Sequence, residues 1–347
     1  MMQKSGTKHI VKTSEEIHDA VQTFLASCGV PAGATWECVS AGPCNLVYRV
    51  NSAAGVFALK YYGRGRGALG RLLTERAWYQ LHQPQARSWM PEPQAWDTTK
   101  RMALFQWISG VPLKPNDLQS ATLAELLSFV SLLNRARAMA AGRSFPPAAG
   151  SCFTLYDRLD AVGHAVNQAA QSLTSVSDGK KIASRLEAAW QVIMSSILRH
   201  ATEAKVDPRR TLPLSGRILS APDWGLHQAV RTSKGKLIFW DFDGAGWDDP
   251  AWWLAALFTR WELSPPLEYW TSFTASLTRL LGLEQETMNR ATVLLPAARF
   301  EQICHAATSA CQVSPTAARR AAFKRLEAAL DDLASPRWWN PAQGVAG

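Results

Sequence analysis

The hydrophobic pattern changes period once, near Pro112, and that single change limits the chain to few architectures. Before it, short runs rich in β-branched and aromatic residues read as strands: Trp36 to Ser40, Leu46 to Val50, Val56 to Tyr62 and Met102 to Ile108. Asn51 to Gly55 reads as a turn. Two helices belong to this half. Thr13 and Glu16 have capping-box spacing, and Ile17, Val21, Phe24, Leu25 and Cys28 then share one helical face. Leu69, Leu72, Leu73, Ala77, Trp78 and Leu81 repeat at helical spacing further on. After Pro112 helical patterns dominate, at about Ala121 to Ala138, Leu155 to Leu173 and Ile182 to Ala201, and again from Pro250 onward. The exception is a pair of short apolar strands, Arg217 to Ser220 and Leu237 to Trp240, read as a β-hairpin embedded among helices. Segregated strands and helices predict an α+β fold, and 347 residues leave room for two cores. The expected parts are a helical segment at 1–29, a small sheet lobe at 30–108 and a larger helical lobe at 109–347.

Composition excludes several classes. No run approaches the roughly 18 apolar residues of a membrane span. The first apolar run, Val21 to Val30, has no basic segment beside it, so no signal peptide is read and a cytoplasmic location is expected. The six cysteines form no CxxC pair, which argues against a zinc ribbon or a disulfide framework. The net charge of +9 is unevenly spread: between Gly55 and Arg101 eight bases face three acids. Such a surplus suits an anionic ligand such as a nucleotide phosphate. No zinc-finger or RRM signature favours nucleic acid.

The most informative stretch surrounds the embedded strands. Asp223 follows the first strand in a loop, Gln228 lies five residues later, and Asp241 directly follows the second strand. Any one of these is at home in a turn or a cap. Together they match what phosphoryl transfer needs: one carboxylate to orient the attacking hydroxyl, and a second carboxylate with an amide oxygen to hold Mg²⁺ against the triphosphate. Asp249-Pro250 reads as an N-cap followed by Pro at the first helical position.

These segments, Pro222-Asp223-Trp224-Gly225-Leu226-His227-Gln228 and Trp240-Asp241-Phe242-Asp243-Gly244-Ala245-Gly246-Trp247-Asp248-Asp249-Pro250, resemble the aminoglycoside phosphotransferase and choline kinase group of the protein-kinase-like fold. The group's catalytic loop is of His-Gly-Asp-Leu-His-x-x-Asn type. The resemblance implies a two-lobe kinase-like fold, ATP or GTP with Mg²⁺ as cofactors, and a small molecule carrying a hydroxyl as acceptor. It implies Asp223 as catalytic base, and Gln228 and Asp241 as metal ligands. In the small lobe, Lys60 on a strand and Glu75 on the next helix would form the ion pair that positions the phosphates. Ser40 to Tyr48, with Gly42 and Asn45, stands where the phosphate-covering loop belongs. Gln106, Trp107 and Ile108 stand at the hinge, where backbone groups would read the base. The chain departs from the pattern in lacking the loop's first His, in carrying Gln228 for Asn, and in having Trp253-Leu254-Ala255 after Asp249-Pro250. The Gln leaves a second implication open, a nucleotide-binding protein with little or no turnover.

Other motifs carry less. Gly65-Arg66-Gly67-Ala68-Leu69-Gly70 has dinucleotide-fingerprint spacing, but the alternating strands and helices of that fold do not follow. Asp241-Phe242-Asp243-Gly244 also resembles the first motif of haloacid-dehalogenase-type phosphatases, with Asp241 as nucleophile and Asp243 as acid/base. It fails as an EF-hand because Ala245 and Trp252 occupy ligand positions. From Trp261 onward eight acids balance eight bases, so no acidic pocket for a polycationic acceptor is predicted.

Overall fold

The structure, a computed structural model, describes residues 8–42, 44–63, 67–221, 225–314 and 316–341. The chain divides into two compact units. The first is Met1–Val111 with Val230–Gly244, the second Pro112–Ala229 with Ala245–Gly347.

The first unit is built on an antiparallel sheet of β1 (Thr35–Ala41), β2 (Leu46–Ser52), β3 (Gly55–Tyr61), β4 (Pro93–Asp97) and β5 (Met102–Gln106), in the order β1-β2-β3-β5-β4. Alternation along β3 puts Leu59 and Tyr61 on one face and Ala58 and Lys60 on the other. The first face is covered by α1 (Lys8–Ser27): Val21, Phe24 and Leu25 join Val50, Leu59, Tyr61, Met102 and Leu104 in one buried cluster. The Lys60 face receives α2 (Ala68–Ala86), which carries Glu75. Two sequence expectations shift. The α1 helix starts upstream of Thr13, so Thr13 and Glu16 lie inside it; capping-box spacing is also the i,i+3 spacing of neighbours within a helix. Strand β4 is not apparent in the sequence because it is a polar edge strand opening on proline, a position proline tolerates.

On α2, His82 is fully buried, its ring 4.3 Å from that of Trp78. Neither ring nitrogen has a hydrogen-bond partner among the described residues. Burial pushes its pKa down to about 3, so the folded protein holds it neutral. The unfolded chain takes up that proton near pH 6.5 and the folded one does not, so stability falls as pH drops from about 6.5 toward 3. At pH 4.5 the expected loss is roughly 3 kcal/mol relative to neutral pH. Urea denaturation of His82→Leu should show a shallower acid slope; an unchanged slope would clear His82 of the effect.

The second unit is mostly helical: α3 (Ser120–Asn134), α4 (Arg137–Gly142), α5 (Leu155–Thr174), α6 (Lys180–Glu203), α7 (Pro250–Thr259), α8 (Trp270–Leu281), α9 (Gln285–Cys311) and α10 (Thr316–Asp332). Helix α9 is its axis and packs on α5, α6, α7, α8 and α10. The helix expected over Ala121 to Ala138 breaks after Asn134, whose side chain reaches Leu219. Its Nδ2 donates to Leu219 O at 3.2 Å and its Oδ1 accepts from Leu219 N–H at 2.9 Å.

The embedded hairpin is corrected. After the short β6 (Val111–Pro112), the strand predicted near Ser220 forms as β7 (Ile218–Ser220), and it pairs with β10 (Gly246–Asp248). The other predicted strand, β9 (Leu237–Phe239), pairs with β8 (Ala229–Arg231) across a tight turn in which Thr232 N–H donates to Lys236 O at 2.9 Å. For β9 the nearer partner costs less chain entropy than bridging 221–236, whereas β7 closes a longer loop to β10. Gly246 is required at its place: a Cβ there would sit 2.4 Å from Pro146 O.

Candidate active site

Within the first unit, β3, α2 and the segment after β9 converge on Lys60. Its Nζ donates to Glu75 Oε2 at 2.7 Å and to Asp241 Oδ1 at 2.6 Å, and lies 3.5 Å from Asp243 Oδ2. The Lys60 and Glu75 side chains are 9% and 2% exposed, so the pair persists only because each charge is matched. Glu75 is saturated: Oε2 also accepts from Tyr62 Oη at 2.7 Å, and Oε1 accepts from Phe242 N–H at 3.1 Å. Burial alone would lower the Lys60 pKa, but Glu75, Asp241 and Asp243 reverse this and raise it, so the ammonium is retained. Burial pushes the Glu75 carboxyl up; Lys60 pulls it back, and the two aspartates push it up further.

Asp241 sits at φ 70°, in the left-handed region that few non-glycine residues enter. Strain of this kind marks a position that the surroundings impose. The neighbouring residue, Phe242, is firmly anchored. It is fully buried, stacks on Trp78 of α2 at 5.6 Å and meets Tyr79 edge-on at 6.0 Å. The Phe242 side chain and its N–H bond to Glu75 therefore tie both flanking aspartates to α2.

The other expected residues divide. Asn45 joins the cluster, its Nδ2 donating to Asp243 Oδ2 at 2.5 Å, and its carbonyl accepts from Gly42 N–H at 3.0 Å. At the end of β5, Gln106 N–H donates to Glu92 O and Trp107 N–H to Val56 O. The Trp107 ring lies under Arg49, 5.2 Å from its guanidinium carbon. Gln228 belongs to the second unit, at the end of a short 3₁₀ turn, Leu226–Gln228. Asp223 lies outside the described residues. Asp249 caps α7 as expected, its Oδ1 accepting from Ala251 N–H at 2.9 Å ahead of Pro250.

Sequence reasoning missed Asp243 and Arg71 as members of this site. Arg71 Nη2 donates to Cys44 O at 3.2 Å and Tyr62 O at 2.9 Å, and its Nε lies 3.9 Å from Asp243 Oδ2. The available signal was the Asp-Phe-Asp spacing, which places two carboxylates on either side of one buried anchor.

Oxygens of Glu75, Asp241 and Asp243 lie within 4.8 Å of one another, a donor set suited to a hard divalent cation such as Mg²⁺. Glu75 is already satisfied, whereas the Asp241 and Asp243 side chains are 37% and 19% exposed. The residues present therefore fit a magnesium ion through the two aspartates.

No protein-family model matches the sequence, and no curated protein matches it significantly. Solved structures do match in fold. A choline kinase from Cryptosporidium parvum is 13% identical, with 92% of this chain and 97% of that one covered at a TM-score of 0.59. Spectinomycin phosphotransferase APH(9)-Ia, in complex with ADP and spectinomycin, is 12% identical over 91% and 98%, at 0.57. The choline kinase LicA from Streptococcus pneumoniae is 12% identical over 91% and 99%, at 0.53. The chain thus has the protein-kinase-like fold of these small-molecule kinases, an α+β architecture with a small antiparallel-sheet lobe and a larger helical one. That fold does not favour the dinucleotide-fingerprint or phosphatase alternatives. Among the described residues no helix is long and apolar enough to cross a membrane.

Proposed function

We propose that the protein is a small-molecule phosphotransferase that moves the γ-phosphate of ATP or GTP to a hydroxyl. The observation that carries this is Lys60 held between Glu75 and a left-handed Asp241 on a kinase-like fold. In this reading residues 30–108 are the nucleotide-binding lobe, and 109–347 supply the catalytic loop and the acceptor site. Lys60, oriented by Glu75, neutralises phosphate charge. Gly42 and Asn45 cover the phosphates, and the Gln106 carbonyl and Ile108 N–H face the base. Asp223 orients the acceptor hydroxyl and takes its proton. Asp241 and Gln228 would hold Mg²⁺, with Asp243 as a further carboxylate, and the ion when bound would supply positive charge against the triphosphate. ADP and spectinomycin bound together in one fold neighbour support the pairing of a nucleotide with a small acceptor.

The test is phosphate transfer from ATP and GTP to a panel of sugars, aminoglycosides and amino alcohols, with Mg²⁺. Asp223→Ala should lower the activity found by roughly 10²–10⁴-fold. Undiminished activity in that variant would remove the general-base assignment. Gln228, where the family carries Asn, favours a second reading: a nucleotide-binding protein with little or no turnover. Thermal stabilisation by Mg·ATP without transfer to any acceptor would select it.

A further inference from the structure

One oxygen, Asp243 Oδ2, is surrounded by nitrogens from three elements. Asn45 Nδ2 of the β1–β2 loop is at 2.5 Å, Lys60 Nζ of β3 at 3.5 Å and Arg71 Nε of α2 at 3.9 Å. Arg71 Nε is buried and makes no hydrogen bond among the described residues, while its Nη2 pins the carbonyls of Cys44 and Tyr62. Arg71 is therefore fixed in place with its Nε–H unpaired among the described residues and facing Asp243. An oxygen ringed by an ammonium, a guanidinium and an amide N–H₂ is the environment that binding sites give to phosphate oxygens. Three carboxylates, those of Glu75, Asp241 and Asp243, gather around Lys60, with Arg71 beside Asp243.

We infer that Asn45, Lys60 and Arg71 form a phosphate cradle, and that Asp243 occupies it when no nucleotide is bound. Asp243 is then an internal competitor: an incoming phosphate takes over its donors, and the displaced carboxylate turns to the cation that accompanies the nucleotide. Arg71 is a phosphate-binding residue in its own right. This inference rests on the proposed nucleotide-dependent function and adds to it the expectation that metal-free phosphates bind weakly. Metal-free polyphosphate must evict a carboxylate that has nowhere else to go.

The experiment is calorimetric titration of the full chain with tripolyphosphate and with ADP in EDTA, beside titration with Mg·ATP and Mg·GTP. Asp243→Asn should bind tripolyphosphate roughly tenfold more tightly than the unaltered protein, and Arg71→Gln roughly tenfold more weakly. Thermal melts confirm folding, and Asp243→Ala serves if Asp243→Asn is unstable. Equal or weaker tripolyphosphate binding by both Asp243 variants, or undiminished binding by Arg71→Gln, overturns the cradle even where Mg·ATP binds. Failure of every form to bind Mg·ATP and Mg·GTP overturns the proposed function itself, and the cradle with it.

Discussion

Asp241→Asn is expected to cost about a thousandfold in phosphate transfer while leaving the melting temperature unchanged or slightly raised. The two effects separate because the residue answers to two requirements. Its backbone is left-handed, at φ 70°, and asparagine is the substitution that tolerates this conformation best. The Asn side chain can still accept from Lys60 Nζ, now 2.6 Å from Asp241 Oδ1. It also removes one negative charge from a cluster that holds three carboxylates around Lys60. The folded state therefore loses little and sheds some repulsion. In the proposed function transfer would lose a metal-binding carboxylate, and metal stabilisation of a transition state amounts to several kcal/mol, each 1.36 kcal/mol being tenfold in rate. Activity within tenfold of the unaltered protein would remove Asp241 from the metal site. A melting temperature lower by more than about 5 °C would make it chiefly a structural partner of Lys60.

Asp249→Ala should produce the largest loss of stability. Asp249 is 1% exposed and serves two groups, the Ala251 N–H at the start of α7 and Arg290 Nε of α9, each at 2.9 Å. The substitution removes an N-cap and strands a guanidinium that is itself only 5% exposed. A lost cap costs about 1 kcal/mol, and an uncompensated buried charge about 3–5 kcal/mol. The melting temperature should fall by roughly 10 °C or more, given about 2–4 °C per kcal/mol for a unit of this size. Arg290→Leu combined with Asp249→Asn should recover part of the loss, because no charge is then left unpaired in the interior. If the double variant melts no higher than Asp249→Ala, the ion pair is not the source of the effect.

Much of the site can be read in the chain itself. Lys60 and Glu75 are set by a strand followed by a helix, and their pairing needs only that α2 cover the Lys60 face of the sheet. Asp241 follows an apolar strand, and Asp249 precedes a proline at a helix start. Each of these is local. Asp243 was legible only as the acid of a phosphatase-like motif; its neighbours Asn45 and Arg71 come from distant elements, and no spacing along the chain connects them. The strand partners were misread for the same reason, since β7 could pair with any strand the chain brought near it. The break after Asn134 coincides with bonds to Leu219, far away in sequence.

Hydrophobic period, turn chemistry and residue type by themselves marked most of the strands and helices, and pointed to the chemistry that the site residues suit. Those are properties of a few consecutive residues. Tertiary structure alone decided which strands pair, that Phe242 is anchored on α2 beside a left-handed Asp241, and that Asp243 sits among three donors. Such choices follow from loop-closure entropy and from the requirement that every buried charge find a partner, and both are settled only when distant segments meet.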